Sequence, residues 1–322
     1  MVLAVKTVNL RIGYLDEEEE KIQWAVRGVD LEIQEGESFC LVGESGSGKT
    51  TLANAIAGIL PPHAVTQGKV YIFDKLVVDD SSRNYNGVRG RIVNYIPQNP
   101  GTSLNPFLTI EDHFYYVLRD LYKYDKSKSK SIAIETLSKV GLTSEILDYY
   151  PHELSGGMKQ RVLIALALAS NARIIVADEP TSSVDASLRA GILGLLSKLN
   201  KEYRVTLIIV THDIKMTSAI CNRTAVMYSG EIVEIGKTSI ILQSPKHPYT
   251  RMLMECVPIL GVEKPLKPLP GEPTRIFEDI SWCSFRERCP YASVECKTTP
   301  SMIPVGDDES HFVKCWRFHE VA

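Results

Sequence analysis

Long apolar runs are absent from this sequence of 322 residues. The longest, such as VLIALALA, are less than half the length of a membrane-spanning helix. The first residues, MVLAVKTVNL, also lack the charged-then-apolar pattern of a signal peptide. We therefore expect a water-soluble chain, which can still dock on a membrane protein.

A large excess of charge of either sign is also lacking. The formal net charge is −3, so no global basic field favours nucleic acid as a partner. Hydrophobic residues make up 44% and charged residues 23%, which is ordinary for a globular protein. A chain of this length is expected to form two or three structural units.

Cysteine is scarce and unevenly distributed. Four of the seven cysteines lie near the C-terminus, with the spacing C-x5-C-x6-C-x18-C: Cys283, Cys289, Cys296 and Cys315. Disulfides, metal ligands and coincidence each account for such a group, and the compartment in which the chain works decides between them. The other three lie in or near apolar segments, and we expect them to pack as small hydrophobic residues: Cys40, Cys221 and Cys256.

Short apolar runs alternate with segments of helical periodicity. Residues 39–43, 173–179 and 205–213 each contain an apolar run that ends in glycine or polar residues, which predicts buried strands. Helices are predicted at residues 46–60 and 158–170. Strands that alternate with helices imply an α/β fold with a parallel sheet and active groups at the C-terminal ends of its strands.

Three stretches depart from this alternation. Residues 109–150 have helical periodicity and many charges but no strand signal, so we expect a mainly helical insert. The chain after residue 236 is rich in proline, which predicts an appended C-terminal piece with a limited core. The acidic stretch DEEEE at 16–20 is expected to be a solvated hairpin tip.

The stretch GESGSGKT at 43–50 matches the phosphate-loop pattern G-x-x-x-x-G-K-[ST], and it lies between a predicted strand and a predicted helix. Gly43, Gly46 and Gly48 permit a tight turn whose N–H groups point at phosphate oxygens, next to the positive end of a helix dipole. Lys49 supplies a charge for the β- and γ-phosphates, and Thr50 a hydroxyl for Mg²⁺. The predicted ATP-binding set also includes Ser45, Ser47 and Thr51.

Two carboxylates follow the predicted strand in RIIVADE. Asp178 is placed to hold Mg²⁺ through water, and Glu179 to polarise the attacking water as general base. A lone acidic pair at a strand end is usually a solvated turn. Downstream of a complete phosphate loop, the same pair predicts the hydrolytic part of a nucleotide site.

The stretch LSGGMKQR at 154–161 is a second glycine-bearing helix start, and therefore a second candidate anion site. One phosphate loop does not need it, so we infer that it serves a nucleotide bound by another subunit. Here the sequence closely resembles the ABC transporter ATPase family. LSGGMKQR resembles the family's signature, GESGSGKT its Walker A motif and IIVADE its Walker B motif. IPQNP, SSVD and VTHD resemble its Q-loop, D-loop and switch-histidine motifs, all in the family's order.

The resemblance implies a dimer mechanism. Two such domains would close head-to-tail around two ATP molecules, and Ser155, Gly156 and Gly157 would contact the γ-phosphate held by the partner's phosphate loop. Closure on ATP binding and opening after hydrolysis would drive a membrane permease.

The resemblance also implies roles for single residues. Gln98 would contact Mg²⁺ or the lytic water, His212 would grip the γ-phosphate, and Asp185 would organise the dimer seam. Adenine usually stacks on an aromatic residue near the N-terminus, for which Tyr14 is the candidate and Trp24 the alternative.

The implied fold is an α/β ABC-type nucleotide-binding domain, with an antiparallel β subdomain, a helical subdomain and a small cysteine-containing C-terminal extension. We expect the P-loop core at 1–98 and 157–235. The helical subdomain that carries the signature would occupy 99–156, and the extension 236–322.

Several stretches resemble the oligopeptide/dipeptide import branch of the family, namely IPQNPGTSLNP, SPKHPYTRML, PLPGEP and the cysteine-bearing tail. The resemblance implies a peripheral subunit on the cytoplasmic face of the membrane that powers peptide import. Its partners would be a second ATPase subunit, two permease subunits and an extracytoplasmic substrate-binding protein, with no nucleic acid. The binding protein and the permease would select the substrate, so nickel and oligosaccharides stay open as alternatives.

Two rival functions belong to other classes. A soluble ABC ATPase that acts on nucleic acid or ribosomes usually has two cassettes or a long coiled-coil insert, whereas this chain has one cassette and a short insert. A soluble iron–sulfur-assembly ATPase would use the cysteines for delivery, but it has no need of the HPYT and PGEP stretches.

The phosphate loop indicates a cytosolic protein, in which disulfides are disfavoured. Structural zinc usually has cysteine pairs about two to four residues apart, unlike the spacing here. Four cysteines without histidine suit a [4Fe–4S] cluster, and the resemblance to the dipeptide-import branch favours the cluster over Zn²⁺ or free thiols. Its expected role is to fasten a tail that has little apolar core.

Overall fold

The computed structural model describes residues 2–182, 184–256, 271–272, 276–278, 280–306 and 308–321. The chain divides into two compact units, Met1–Asn84 with Val210–Ala322 (the first unit) and Tyr85–Ile209 (the second unit). No helix within the described ranges is both long enough and apolar enough to cross a bilayer. The domain boundaries expected from the sequence stay predictions.

Strands and helices alternate over residues 156–211, as predicted for an α/β fold. The strands are β1 (Leu3–Asp16), β2 (Lys21–Gln34), β3 (Ser38–Val42), β4 (Val65–Ile72), β5 (Lys75–Val78), β6 (Val93–Ile96), β7 (Ile174–Asp178), β8 (Thr206–Thr211), β9 (Arg223–Tyr228), β10 (Glu231–Lys237), β11 (Ile303–Val305) and β12 (Asp308–Val313). The α-helices are α1 (Lys49–Ala57), α2 (Pro100–Ser103), α3 (Ile110–Tyr122), α4 (Lys126–Lys139), α5 (Gly156–Ala169), α6 (Ala186–Tyr203), α7 (Thr238–Gln243) and α8 (Pro248–Glu255).

The first unit contains an antiparallel sheet with the strand order β2-β1-β4-β5. Its other strands have the order β11-β12-β10-β9-β3, in which β3 and β9 are parallel and the other pairs antiparallel. Every residue of β3 is buried, as expected of an apolar run in a parallel pair. The predicted strand at 39–43 is confirmed, and the turn at 17–20 between β1 and β2 is the predicted exposed hairpin tip.

The second unit carries strands in the order β8-β7-β6, with β6 and β7 parallel, and the division between the units falls within β8. The predicted helical insert is confirmed, because α3 and α4 occupy it. Each helix begins at a capping side chain, which satisfies a backbone donor of its first turn. Thr109 Oγ1 accepts from the Asp112 N–H (3.2 Å), and Asp125 Oδ1 accepts from the Lys128 N–H (2.8 Å).

The C-terminal extension has more structure than its sequence predicted. Strand β12 pairs with both β11 and β10, although Pro304 and the polar stretch DESH at the start of β12 are untypical of strands. Two rings of the extension, those of Tyr249 and Phe285, form an aromatic core with Tyr228 of β9. All three residues are fully buried, and their ring centroids lie 4.8 to 5.4 Å apart. The expectation of a limited core therefore missed a cluster assembled from distant segments.

His247 lies beside this aromatic core and is 1% exposed, with its ring centroid 5.7 Å from that of Phe285. Its Nδ1 accepts a hydrogen bond from the Tyr249 N–H (3.1 Å) and so caps α8. Burial, together with the positive charge of Lys314, lowers the pKa of His247 to about 3. The imidazole is therefore neutral in the folded protein at ordinary pH.

We expect this buried histidine to make the fold sensitive to acid. Because its pKa is lower in the folded than in the unfolded chain, the unfolded chain binds an extra proton between about pH 6.5 and 3. The stabilisation is complete above the unfolded pKa and falls with pH, by about 2 kcal/mol at pH 5. Melting midpoints from pH 7.5 to 5 should fall more steeply for wild type than for His247→Asn, which keeps a capping acceptor but does not titrate. Equal slopes would contradict this.

Three cysteines lie outside the C-terminal group of four, and the state of two of them differs from the prediction. Cys40 in β3 and Cys221 just before β9 are buried as expected, but they form a disulfide with their Cα atoms 5.7 Å apart. The parallel pairing of Cys40 with Thr224 brings the two together across 181 residues of sequence, a separation that no local pattern reveals. The expectation of two separate packed thiols was wrong. Cys256 is half-buried and lies outside this disulfide.

Candidate nucleotide-binding site

The phosphate loop follows the buried strand β3, and α1 begins at Lys49. Gly48 precedes this helix with φ at 97°, and a Cβ there would lie 2.1 Å from the backbone oxygen of Ala25. A Cβ on Gly43 would lie 2.3 Å from the backbone oxygen of Met227. Both positions require glycine, and no side chain caps α1 at Gly48, which suits the helix start to an anion.

Lys49 is 6% exposed and lies along the loop. Its Nζ donates to the backbone oxygen of Glu44 (2.7 Å) and to Ser47 Oγ (3.2 Å). Ser47 is buried, whereas Ser45, Gly46 and Thr50 are exposed and Thr51 is half-buried. The lysine charge is thus held against the loop at the place where a phosphate would bind.

Glu44 connects the phosphate loop to the C-terminal extension, which the sequence did not reveal. Its N–H donates to Tyr249 Oη (2.8 Å). Its carboxylate accepts two hydrogen bonds from Arg288, Nη1 to Oε2 (2.8 Å) and Nη2 to Oε1 (3.0 Å). Although burial opposes it, hydrogen bonding to Glu44 and Tyr228 raises the pKa of Arg288 above its usual value.

The predicted adenine-stacking residues have different surroundings. Tyr14 is half-buried, and its ring lies edge-on to His63 with the centroids 6.2 Å apart. The Arg11 guanidinium lies 4.4 Å from the centroid of the Trp24 ring and covers one of its faces. One covered face makes Trp24 the poorer stacking platform of the two.

His212 follows β8 and is exposed. The next residue, Asp213, caps a short 3₁₀ helix, since its carboxylate accepts from the N–H groups of Lys215 and Met216 (3.0 and 3.3 Å). The segment after the histidine is thereby fixed, and His212 itself is exposed.

The second unit brings Gln98 and Glu179 together. Gln98 Nε2 donates to Glu179 Oε2 at 3.4 Å, although 81 residues separate them. Glu179 has φ at 45°, a left-handed conformation that costs a non-glycine residue about 1–2 kcal/mol. Such strain concentrates at functional sites, and here it turns the chain directly after β7.

Asp178 ends β7 and is 3% exposed. Tyr95 Oη on β6 donates to Asp178 Oδ2 at 3.0 Å. Burial and the negative charge of Asp178 raise the pKa of Tyr95 well above its usual value. The tyrosine therefore stays a donor and orients the carboxylate.

The signature stretch begins α5. Ser155 Oγ accepts from the Met158 N–H (3.3 Å), Ser155 and Gly156 are exposed, and Gly157 is buried. A Cβ on Gly157 would lie 3.1 Å from Leu188 Cδ1. A cavity of about 310 Å³ opens here, and its lining includes Ser155 and Gly157. Three of the predicted partner-facing residues are thus brought together at one helix start.

Asp185 precedes α6 and is exposed, and its backbone oxygen accepts from the Leu188 N–H (2.9 Å). Ser183, within the D-loop stretch at 182–185, lies outside the described residues, as does most of PLPGEP.

The four C-terminal cysteines are free thiols. Cys296 and Cys315 are buried, and Cys283 and Cys289 are half-buried. Burial, with a smaller effect of the neighbouring cysteines, raises the pKa of Cys289 to about 11 and of Cys315 to about 12. The thiols therefore lie close enough to influence each other, yet no group of three or more potential ligands within the described ranges is arranged to hold a metal ion.

Comparison with known proteins agrees with these motifs. The ABC transporter family matches residues 26–182, and the oligopeptide/dipeptide transporter C-terminal region matches residues 233–296. The dipeptide transport ATP-binding protein DppD of Bacillus subtilis is 38% identical over 91% of this chain and 88% of its own length. The oligopeptide transport ATP-binding protein OppD of the same organism is 37% identical over 92% of this chain and 85% of its own length.

Solved structures show the same fold. A dimeric post-hydrolysis state of the ATP-binding cassette MJ0796, bound to ADP and Pi, has a TM-score of 0.64 and 32% identity. The alignment covers 73% of this chain and 98% of the MJ0796 chain. The structure of cbiO1 of Clostridium perfringens, part of an ABC transporter complex, has a TM-score of 0.63 and 25% identity. That alignment covers 76% of this chain and 93% of the cbiO1 chain. The chain is thus an ATPase of the ABC transporter family, and it belongs to the branch with the oligopeptide/dipeptide transporter C-terminal region.

Proposed function

We propose that this chain hydrolyses ATP to power a membrane importer of di- and oligopeptides. The observation that carries the proposal is the match of residues 233–296 to the oligopeptide/dipeptide transporter C-terminal region, next to an ABC transporter match at 26–182. Relatives named as dipeptide and oligopeptide transport ATP-binding proteins align over nearly the whole chain. They favour peptides over the nickel, oligosaccharide and iron–sulfur-assembly alternatives.

In the first unit, the loop N–H groups and Lys49 Nζ bind the β- and γ-phosphates, and Tyr14 stacks on adenine. His212 is exposed at the C-terminal end of β8, and we assign it the contact with the γ-phosphate. The Thr50 hydroxyl, also exposed, is a hard oxygen ligand of the kind that Mg²⁺ prefers. When bound, Mg²⁺ neutralises charge that develops on the phosphates.

In the second unit, the hydrogen bond from Tyr95 orients the carboxylate of Asp178, whose hard oxygen atoms are suited to bind Mg²⁺ through water. Glu179 accepts the proton of the attacking water. The 3.4 Å hydrogen bond from Gln98 Nε2 orients the Glu179 carboxylate, and it supports a role of Gln98 at the lytic water and Mg²⁺. The signature group Ser155, Gly156 and Gly157, with Asp185, serves the nucleotide of the partner cassette. The dimeric state of the MJ0796 cassette supports this assembly.

The remaining partners follow from the proposed import function. We expect a second, related ATPase, two permease subunits and an extracytoplasmic binding protein, with this chain at the cytoplasmic face of the membrane. Co-purification with permease subunits would separate this function from both soluble rivals.

Substrate choice is tested by uptake in a host that lacks peptide import and expresses this chain with its permease partners. Labelled di- and oligopeptides should accumulate, and Lys49→Ala should abolish the accumulation. Labelled nickel and a labelled oligosaccharide serve as the competing substrates. Accumulation of either, without peptide uptake, would contradict the peptide assignment.

For the tail we propose a structural [4Fe–4S] cluster on Cys283, Cys289, Cys296 and Cys315, with Zn²⁺ as the alternative. Thiolate ligands suit both groups, and mutual proximity with partial burial supports the set. Because the pKa values of the Cys283, Cys289 and Cys315 thiols are raised, binding of the metal group by thiolates must release protons, and this binding should weaken as pH falls.

Anaerobic purification tests this proposal. We expect a brown protein with about four irons and four sulfides per chain, retained in Cys256→Ser and lost in Cys289→Ser. An iron-free sample that contains zinc would establish the alternative, and a metal-free sample would leave the thiols free.

A further inference from the structure

Glu44 is the second residue of the phosphate loop, and all its polar groups are engaged within the first unit. The backbone oxygen accepts from Lys49 Nζ (2.7 Å), and the N–H donates to Tyr249 Oη (2.8 Å). The carboxylate accepts hydrogen bonds from both terminal nitrogens of Arg288. One residue thus contacts the phosphate-binding lysine on one side and two side chains of the C-terminal extension on the other.

The pair between Arg288 and Glu44 has the parallel two-bond geometry that fixes direction as well as distance. The side chains are only 5% and 23% exposed, so water competes weakly for these bonds. Arg288 also donates to Tyr228 Oη (3.3 Å), and its guanidinium lies 5.5 Å from that ring's centroid. The guanidinium is therefore held in place independently of the loop.

The backbone of Arg288 belongs to the cysteine-bearing tail. It ends the 3₁₀ turn Arg286–Arg288, in which the Arg286 N–H donates to Cys283 O (3.0 Å) and the Cys289 N–H donates to Arg286 O (3.4 Å). The Arg288 N–H donates to the backbone oxygen of Phe285, in the buried aromatic core (3.1 Å). The turn is thus fixed between two cysteines and the core of the extension.

We propose that Arg288 is a positioning residue for ATP binding, through which the cysteine-bearing tail sets the conformation of the phosphate loop. It touches no nucleotide itself. Its guanidinium fixes the position of Glu44 through two hydrogen bonds. Glu44 in turn positions the loop backbone, whose oxygen at this residue accepts the hydrogen bond from Lys49 Nζ. The inference rests on ATP binding by the loop, and it is independent of the transported substrate and of whether the cysteines bind a metal.

The test measures KM for ATP, kcat and ATP affinity for Arg288→Ala, Glu44→Ala and the double variant, with melting midpoints to establish folding. We expect Arg288→Ala to raise KM and Kd about tenfold with kcat within about twofold, which corresponds to the loss of one buried ionic pair. The double variant should be no worse than Glu44→Ala, because both changes remove the same link. Arg286→Ala, in the same turn, is the matched control and should leave KM unchanged.

Arg288→Lys and Glu44→Gln keep the test decisive if the alanine variants fail to fold. Lysine keeps the charge but loses the two-bond fork, and glutamine keeps the shape but loses the charge, so each should raise KM about threefold or more. An unchanged KM in a folded variant would overturn the proposal. So would additive effects in the double variant, or an equal rise of KM in Arg286→Ala.

Discussion

Glu179→Gln is expected to lower the turnover number for ATP by about 10²–10⁴-fold, the usual contribution of a general base. ATP should still bind, because glutamine is isosteric and the phosphate loop is untouched. The nucleotide-bound dimer should then accumulate, since opening depends on hydrolysis. Phosphate release measures the first effect, and size-exclusion chromatography with ATP and Mg²⁺ measures the second.

Glu145→Gln is the matched control for that variant, since it removes one exposed carboxylate from the same unit. Its turnover should equal that of wild type. Normal turnover by Glu179→Gln would refute the assignment of the base. It would then leave the 3.4 Å contact with Gln98 and the left-handed backbone at Glu179 without a catalytic role.

Lys49→Ala should weaken ATP binding about 100-fold, because a charged donor to phosphate contributes about 1.5–3 kcal/mol. The change also leaves the Glu44 carbonyl and Ser47 without their lysine donor, which loosens the loop itself. Titration with a fluorescent ATP analogue measures the affinity.

The exposed Lys69 provides the control in the same unit, and Lys69→Ala should bind ATP like wild type. An unchanged dissociation constant for Lys49→Ala would count against the phosphate loop as the ATP site. An equal loss in both variants would indicate a general effect of charge.

The sequence located the parts of the site that are contiguous in the chain. A buried run before a glycine-rich turn predicted β3, the loop and α1, because the strand, the turn and the helix start each depend on neighbouring residues. The same was true of β7 and the acidic pair at its C-terminal end, Asp178 and Glu179. The grouping of Gln98 with Glu179 rested on resemblance alone, since 81 residues lie between them.

The contacts that the sequence did not reveal all join distant segments. Arg288 and Tyr249 reach Glu44 across 244 and 205 residues, and Cys40 meets Cys221 across 181. A lone arginine between cysteines is equally compatible with a solvated turn, so nothing local distinguishes a loop anchor. The aromatic core of the extension was hidden for the same reason, because its rings come from three separate stretches.

Reconstitution into proteoliposomes with the permease subunits and the binding protein tests the central claim most directly. Phosphate release and peptide uptake should be followed in one sample, with wild type and with Glu179→Gln. We predict that peptide-loaded binding protein raises phosphate release, that peptide accumulates only with ATP, and that Glu179→Gln abolishes both. Peptide accumulation without ATP hydrolysis, or equal phosphate release by wild type and the variant, would contradict the account.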